Sequence, residues 1–397
     1  MSNVLKCSRE VEELQGRLVQ TREDLHRIPE LAFQEEKTAR YITNRLDELG
    51  ITYETGVAGT GVAAMIPGTE GKRTICFRAD MDALEVVEQN RISFRSQREG
   101  FMHACGHDGH MSILLGFAQL LTQGRYILRD HVLLLFQPGE EGTGGAEKIV
   151  QSGILRRYDV HEIYGLHLFP GIEEGLLGIR PGPMMAQNSE IDLTIWGENA
   201  HGGTPHAGND AIVIASQLMM AIQTIVSRSL NPMDPAVITF GRLQGGEVRN
   251  MIARRVTLEG TIRTFQEETY ETLERRLREV VSGVEMAYRC KIDVDLRRLY
   301  PAVVNPPEMV NEWIRAQGKE HVVLTEPVML AEDFAFYQEA VPGLFFFLGV
   351  RNREKNLVHS LHHGCFNFDE KVLGIGVQAF MNILLQKEAF DLAGKMW

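Results

Sequence analysis

The residues able to do chemistry are densest between positions 102 and 110, where the chain reads Met-His-Ala-Cys-Gly-His-Asp-Gly-His. Cys105 and His107 stand two apart, so in an extended segment both side chains point the same way and can hold one metal ion. A thiolate beside an imidazole suits zinc, and imidazole also suits other first-row metals. Taken alone, the block fits equally well a glycine-rich turn into a helix with solvated histidines. A metal centre needs further ligands from elsewhere in the chain.

Such ligands stand near the ends of apolar runs. Gln137-Pro138-Gly139-Glu140-Glu141 follows VLLLF, Gly165-Leu166-His167 closes a run that begins at Ile163, and Ser360-Leu361-His362-His363 follows LFFFLGV across a loop. Open α/β sheets bind ligands in the crevice outside the carboxyl ends of their strands. Adjacent glutamate side chains diverge there, so one can ligate a metal while the other faces the substrate as general base. Arg78-Ala79-Asp80-Met81-Asp82 ends another run with two carboxylates on one side. A metal-bound histidine usually passes its second N–H to a carboxylate, a role open to one of these aspartates. Any of these residues taken singly is more often a solvated turn or a structural histidine. Three strand-end ligands together with a Cys-x-His favour the metal centre.

The elements that must position them are legible from periodicity. Val11, Leu14, Leu18 and Leu25 predict a helix over 9–27 stopped by Pro29, and a second helix follows over about 35–49. Apolar strands at 61–66, 74–80, 132–138 and 163–169 alternate with helices near 109–123 and 145–151. This alternation predicts a mixed, mostly parallel sheet with helices on both faces. After Arg180-Pro181-Gly182-Pro183 the pattern changes. Strand 190–196, helix 210–227, strands 236–243 and 255–265, helix 268–287 and strand 291–298 give the β-α-β-β-α-β order of a ferredoxin-like α+β unit. A strand at 344–350 and a helix near 370–386 then resume the first pattern. The expected organisation is an α/β catalytic domain in two parts, 1–185 and 301–397, interrupted by an inserted domain over 186–300.

Composition narrows the function. The 397 residues are 44% hydrophobic and 24% charged, and 41 basic against 53 acidic residues leave a net charge of −12. That charge argues against nucleic acid as a partner. Five scattered cysteines (Cys7, Cys76, Cys105, Cys290, Cys365) are too few for a disulfide framework, and no uninterrupted apolar run nears the ~20 residues of a membrane helix. A cytoplasmic protein that engages no membrane is expected. The sequence has no His-Glu-x-x-His, Gly-x-Ser-x-Gly, Walker-type loop, dinucleotide fingerprint or Cys-x-x-Cys of a zinc deaminase.

Seven motifs in order resemble one family: Asp-Leu-His-Arg-Ile-Pro-Glu-Leu (24–31), Arg-Ala-Asp-Met-Asp-Ala-Leu (78–84), the 102–110 block, Gln-Pro-Gly-Glu-Glu, Gly-Leu-His, Ala-His-Gly-Gly-Thr-Pro-His (200–206) and Glu-Asp-Phe (332–334). They resemble the amidohydrolase branch of the co-catalytic metallopeptidases, which includes hippurate hydrolase, indole-acetyl-amino-acid hydrolases and N-acetyl-diaminopimelate deacetylase. The resemblance implies a two-metal catalytic domain with an inserted dimerisation lid, and hence a homodimer. It implies Cys105, His107, Glu141, His167 and His362 as metal ligands, Glu140 as general base and Asp82 as the carboxylate behind a ligand. His201, Asn250 and Arg263 would form the substrate clamp, with His206 as second choice for the histidine. Distant relatives have His-x-Asp where this chain has Asp80-Met81-Asp82, so Asp80 receives no ligand role. Two departures bear on substrate identity: Glu85 replaces the usual proline after Asp-Ala-Leu, and Gly245-Gly246-Glu247-Val248-Arg249 replaces a run of small residues.

The expected activity is hydrolysis of the amide of an N-acyl amino acid, acetyl or aroyl, using two divalent cations. Zinc comes first, with manganese, cobalt and nickel as alternatives. A dipeptidase or carboxypeptidase using the same site is the nearest rival, and a non-catalytic metal-binding relative the more distant one.

Overall fold

A computed structural model describes residues 4–393. The chain divides into two compact units. One comprises Met1–Gly182, Val304–Glu326 and Asp333–Trp397, and the other Pro183–Val303 with Pro327–Glu332. The expected boundaries at 185 and 300 did not include the short segment Pro327–Glu332. It joins the inserted unit through main-chain bonds from Ala186 N to the carbonyls of Val328 and Leu330.

The first unit is built on an eight-stranded sheet in the order Thr52–Val57, Gly61–Ile66, His131–Gln137, Thr74–Asp80, Val160–Glu173, Gly343–Arg351, Leu177–Ile179, Val322–Leu324. The four strands from His131–Gln137 to Gly343–Arg351 are mutually parallel, Gly61–Ile66 runs antiparallel to them, and Thr52–Val57 is antiparallel to Gly61–Ile66 in turn. The central strands are buried almost throughout, as continuous apolar runs such as LLLF and LFFFLGV require of a sheet covered on both faces. Register matters for the site. Asp80 pairs with Gln137 and Arg78 with Gly165, which brings Asp80, Gln137 and His167 to one level at the carboxyl end of the sheet.

Helix His107–Thr122 packs against Gln15–His26 and Lys371–Gln386, and the three bury Leu18, Leu114, Phe117, Val377 and Phe380. Gly116 lets the first two approach, since a Cβ there would meet Leu18 Cδ2 at 2.2 Å. The single helix expected over 9–27 is two, Arg9–Glu13 and Gln15–His26, joined at Leu14.

The inserted unit has four antiparallel strands in the order Ala236–Gly245, Arg255–Thr264, Gln187–Trp196, Lys291–Tyr300. Strands two, three, one and four of the unit lie in that spatial order, which is the ferredoxin-like arrangement. Helices Ala211–Arg228 and Glu267–Tyr288 cover one face, burying Ile191, Leu193, Leu218, Leu258, Ile262 and Leu277. Helix Ala211–Arg228 is, among the described residues, the one helix long and apolar enough to cross a membrane. Ser216, Gln217, Gln223 and Thr224 break its apolar residues, so no uninterrupted apolar run marks it in the sequence. Its Ile214, Leu218, Ile222 and Ile225 are buried in this unit's core, while Ile212, Val213 and Met220 remain exposed.

Candidate active site

Helix His107–Thr122 starts at the ligand block because Gly106 adopts φ +89°, a left-handed conformation that glycine reaches without strain. His107 is thereby its first helical residue and Cys105 lies in the preceding turn. On the adjacent strand His167 Nε2 lies 3.4 Å from Cys105 Sγ. From the far loop, the main-chain N–H of His362 donates to Ala104 O at 2.9 Å, which fixes His362 beside Cys105 although it lies 257 positions later. His362 is a non-glycine residue at φ +62°, the kind of backbone strain that clusters at functional sites.

Besides groups of His107 with Glu140 and Glu141 and with Asp80 and His110, two triples of ligand atoms form around the cysteine, each with all atoms within 4.8 Å of one another: Cys105, His107 and His167, and Cys105, Glu141 and His362. Cys105 belongs to both. The first triple is buried, whereas the His362 side chain is 52% exposed and faces Glu141 Oε1 at 3.0 Å, so the second opens towards solvent.

The hydrogen bonds around these residues fit a metal. His167 Nδ1 donates to Leu168 O (2.8 Å) and His107 Nδ1 to Asp82 O (2.9 Å), so the tautomers that satisfy them leave a lone pair on each Nε2. His107 Nε2 is buried and makes no hydrogen bond; Asp80 Oδ2, at 3.6 Å, lies beyond reach. The electrostatics agree. Burial disfavours the imidazolium of His107, but Asp80, Asp82 and Glu141 outweigh it and hold its pKa up at about 10. Burial, with Glu141 and Glu140 beside it, pushes the Cys105 thiol well above its ordinary range. Proteins of this kind exchange such protons for a cation when it binds.

Asp82 differs in detail from its expected role. Its main-chain carbonyl, rather than its carboxylate, takes the closer contact with His107, while the carboxylate accepts from Glu140 N (3.0 Å) and Glu141 N (2.9 Å). It thus holds the turn that carries both glutamates. Glu35 completes the grip by accepting from Gly139 N at 2.9 Å, and the Phe33 ring lies where a Cβ on Gly139 would sit, 2.5 Å away.

Sequence reasoning missed a second buried layer. The third histidine of the block, His110, donates from Nδ1 to Asp80 (2.6 Å) and accepts at Nε2 from Leu168 N (2.9 Å), so both its nitrogens are engaged. Asp80 also pairs with Arg78 (2.8 Å). Asp333, of the Glu-Asp-Phe motif, takes hydrogen bonds from Arg78, Gln137 and Ala146 N, tying two of the strand ends to the helix after the glutamate turn. The charged residues of Arg78-Ala79-Asp80 and the unassigned Glu-Asp-Phe were the available signals.

In the inserted unit, His201 and Asn250 come together: His201 bridges Met251, and Gly202 N donates to Asn250 O at 2.8 Å. His201 is exposed, and its Nδ1 accepts from Gly203 N, which leaves Nε2–H as an outward donor. His206 lies in the adjoining turn Pro205–Ala207, also exposed. Arg263 is elsewhere. Trp196, just before the His201 loop, pairs with Arg255, whereas Arg263 pairs with Asn188 at the other end of the same strands. At about 3.4 Å per residue the eight positions from Arg255 to Arg263 span roughly 25 Å, and the His201 loop lies beyond the Arg255 end. One copy of this unit therefore cannot bring His201 and Arg263 to one small molecule.

Comparison with known proteins agrees with this geometry. The description of peptidase family M20/M25/M40 matches residues 76–386. The N-acetyldiaminopimelate deacetylase of Anoxybacillus flavithermus is 40% identical over 364 residues, 91% of this chain and 94% of that protein. The protein of the same name from Priestia megaterium is 38% identical over 367 residues, 91% and 96% of the two chains. Among solved structures, the Bacillus subtilis YXEP protein, described as a dinuclear metal binding peptidase from the M20 family, superposes with TM-score 0.83 at 33% identity, covering 95% of this chain and 99% of that one. With its ligand cluster, its fold and this match along most of its length, the chain belongs to peptidase family M20/M25/M40.

Proposed function

We propose that this chain is a metal-dependent amidohydrolase that cleaves N-acyl amino acids to a carboxylic acid and a free amino acid, with N-acetyl amino acids of the diaminopimelate type as the first substrates to test. The observation that carries the reading is the turn holding Glu141 in a ligand triple while Glu140, the adjacent residue, shares its Asp82 anchor. Cys105, His107 and His167 on one side and Cys105, Glu141 and His362 on the other would hold two divalent cations, zinc before manganese, cobalt or nickel, given the thiolate and imidazole donors. Such cations, when bound, make water acidic at neutral pH and polarise an acyl carbonyl.

The chain's own groups do the rest. Glu140 takes the proton of the attacking water and returns it to the leaving amine, the two transfers asked of a positioned carboxylate. His201 Nε2–H donates to the developing oxyanion, and Arg263 grips the α-carboxylate with two parallel hydrogen bonds. The roughly 25 Å between these two residues along the inserted sheet supports a homodimer in which they come from different copies. The exposed edge strand Ala236–Gly245, with Val237 and Leu243, and the exposed Ile212, Val213 and Met220 of the neighbouring helix offer the surface for it. The five free cysteines favour the cytoplasm as its compartment.

The test is hydrolysis of N-acetyl-methionine, hippurate, N-acetyl-diaminopimelate and a dipeptide by chelated and zinc-loaded protein. Metal-dependent release of the free amino acid from the acylated substrates is expected. Preference for the dipeptide with a free α-amine would replace this reading by a dipeptidase.

A further inference from the structure

Arg263 lies on the face of the inserted sheet away from the helices, since its neighbour Ile262 is buried in the core beneath them. Directly opposite Arg263 in register is Asn188, which is opposite Tyr300 on its other side. Facing residues on antiparallel strands have Cβ atoms about 4.5–5.5 Å apart. A guanidinium and an amide carbonyl at that spacing could satisfy each other. Instead, Arg263 Nη1 and Asn188 Oδ1 are both buried, and neither makes a hydrogen bond. Buried polar atoms are nearly always paired, so two complementary ones left open on facing residues call for a third party. Glu190, one row along the same face, and Tyr300 act on the Arg263 guanidinium through their charge, while the hydrogen bonds of Glu190 come from Arg297.

The two atoms define what that party must carry. Arg263 needs an acceptor, best an anion; Asn188 Oδ1 needs a donor on a neighbouring atom. An α-carboxylate with an N–H on the same carbon supplies both. We propose that Asn188 is a specificity-determining residue, its side-chain carbonyl accepting from the N–H of the N-acyl amino acid whose α-carboxylate Arg263 holds. The inference rests on the substrate reading given above and adds a selectivity to it. Asn188 distinguishes an amide from the corresponding ester, whose oxygen would face Oδ1 acceptor to acceptor. Sites built to bond an N–H discriminate strongly against analogues that lack it.

The experiment uses the full-length, zinc-loaded enzyme and three probes: its best N-acetyl amino acid, the O-acetyl-2-hydroxy acid of the same skeleton, and the N-acetyl amino acid α-amide. Asn188→Leu is expected to lower kcat/KM for the amide-linked acid about 10- to 100-fold and for the ester less than about threefold, the size of one buried hydrogen bond. Asn188→Asp, which keeps the side-chain volume, covers the case in which the leucine variant does not fold. Its carboxylate would pair with Arg263, raising KM for both acids at least about tenfold while leaving the α-amide near wild type. Equal losses on amide and ester with Asn188→Leu, or no loss on either, would overturn the proposal and leave Asn188 a structural residue. If wild-type enzyme hydrolyses no N-acetyl amino acid, the substrate reading falls and takes this one with it. If it hydrolyses them and its preference is indifferent to Asn188, only this inference falls.

Discussion

Asp82→Asn tests what holds the turn that carries Glu140 and Glu141. The carboxylate is 1% exposed and accepts from Glu140 N at 3.0 Å and Glu141 N at 2.9 Å, while His107 is served by the main-chain carbonyl at 2.9 Å. Asparagine leaves that carbonyl and one side-chain acceptor in place, but turns an NH2 towards the second backbone N–H. One charge-assisted hydrogen bond, about 1.5–3 kcal/mol, is lost, and a buried N–H is left unsatisfied at about 1–3 kcal/mol more. At 1.4 kcal/mol per tenfold, a total near 3–5 kcal/mol divides between stability and displacement of the two glutamates. We expect kcat/KM to fall about 10- to 100-fold and metal affinity up to about tenfold, with a melting temperature a few degrees lower. Steady-state kinetics at saturating zinc and calorimetric metal titration of the dialysed protein measure each part. A variant with wild-type kcat and metal affinity, whatever its melting temperature, would refute the reasoning. It would leave the turn to Glu35, which bonds Gly139 N.

Three other outcomes follow from the same structure. Cys105→Ser should lower bound metal, measured by elemental analysis after dialysis, because its atom belongs to both ligand triples and a hydroxyl is a poorer ligand; unchanged stoichiometry would remove it from the centre. Arg263→Ala should cost N-acyl amino acids about 10²-fold or more in kcat/KM and their α-amides far less; equal losses would make it a support of the fold. His26 is buried between Asp108 (2.8 Å) and Glu88 (3.2 Å), with Arg22 and His103 also facing it; burial works against its charged form, but the two carboxylates prevail and raise its pKa above 6.5. A raised folded-state pKa gives stability that is complete below about pH 6.5 and is lost as pH climbs through the folded value. The melting temperature of wild type should therefore fall more steeply from pH 6 to pH 9 than that of His26→Gln, and parallel curves would contradict the assignment.

What the sequence made legible were features with a short period or a fixed local spacing. The central strands were readable because burial on both faces makes them continuous apolar runs, and Cys105-x-His107 because two residues of extended chain share a side. The inserted unit's six elements followed from alternation of the two periods. What stayed hidden depends on contacts between distant positions. Asp333 meets Arg78 across 255 positions and Gln137 across 196, so no local pattern betrays that they form one network. The strand Thr52–Val57 went unseen because, as an edge, it buries mainly Val57 and carries no apolar run. The amide-holding role of Asp82 was invisible because a carboxylate beside a histidine ligand looks the same in sequence whichever of its oxygens is used. The separation of His201 from Arg263 needed the strand register, which the order of motifs along the chain does not contain.

In the proposed reaction Glu140 moves the proton while its neighbours hold the metal. The most direct measurement is on Glu140→Gln, saturated with zinc, with metal content and turnover of an N-acetyl amino acid determined on the same sample. Wild-type metal stoichiometry is expected, with kcat lowered about 10²- to 10⁴-fold, because an amide cannot accept the proton. A metal-replete variant that turns over at the wild-type rate would contradict it.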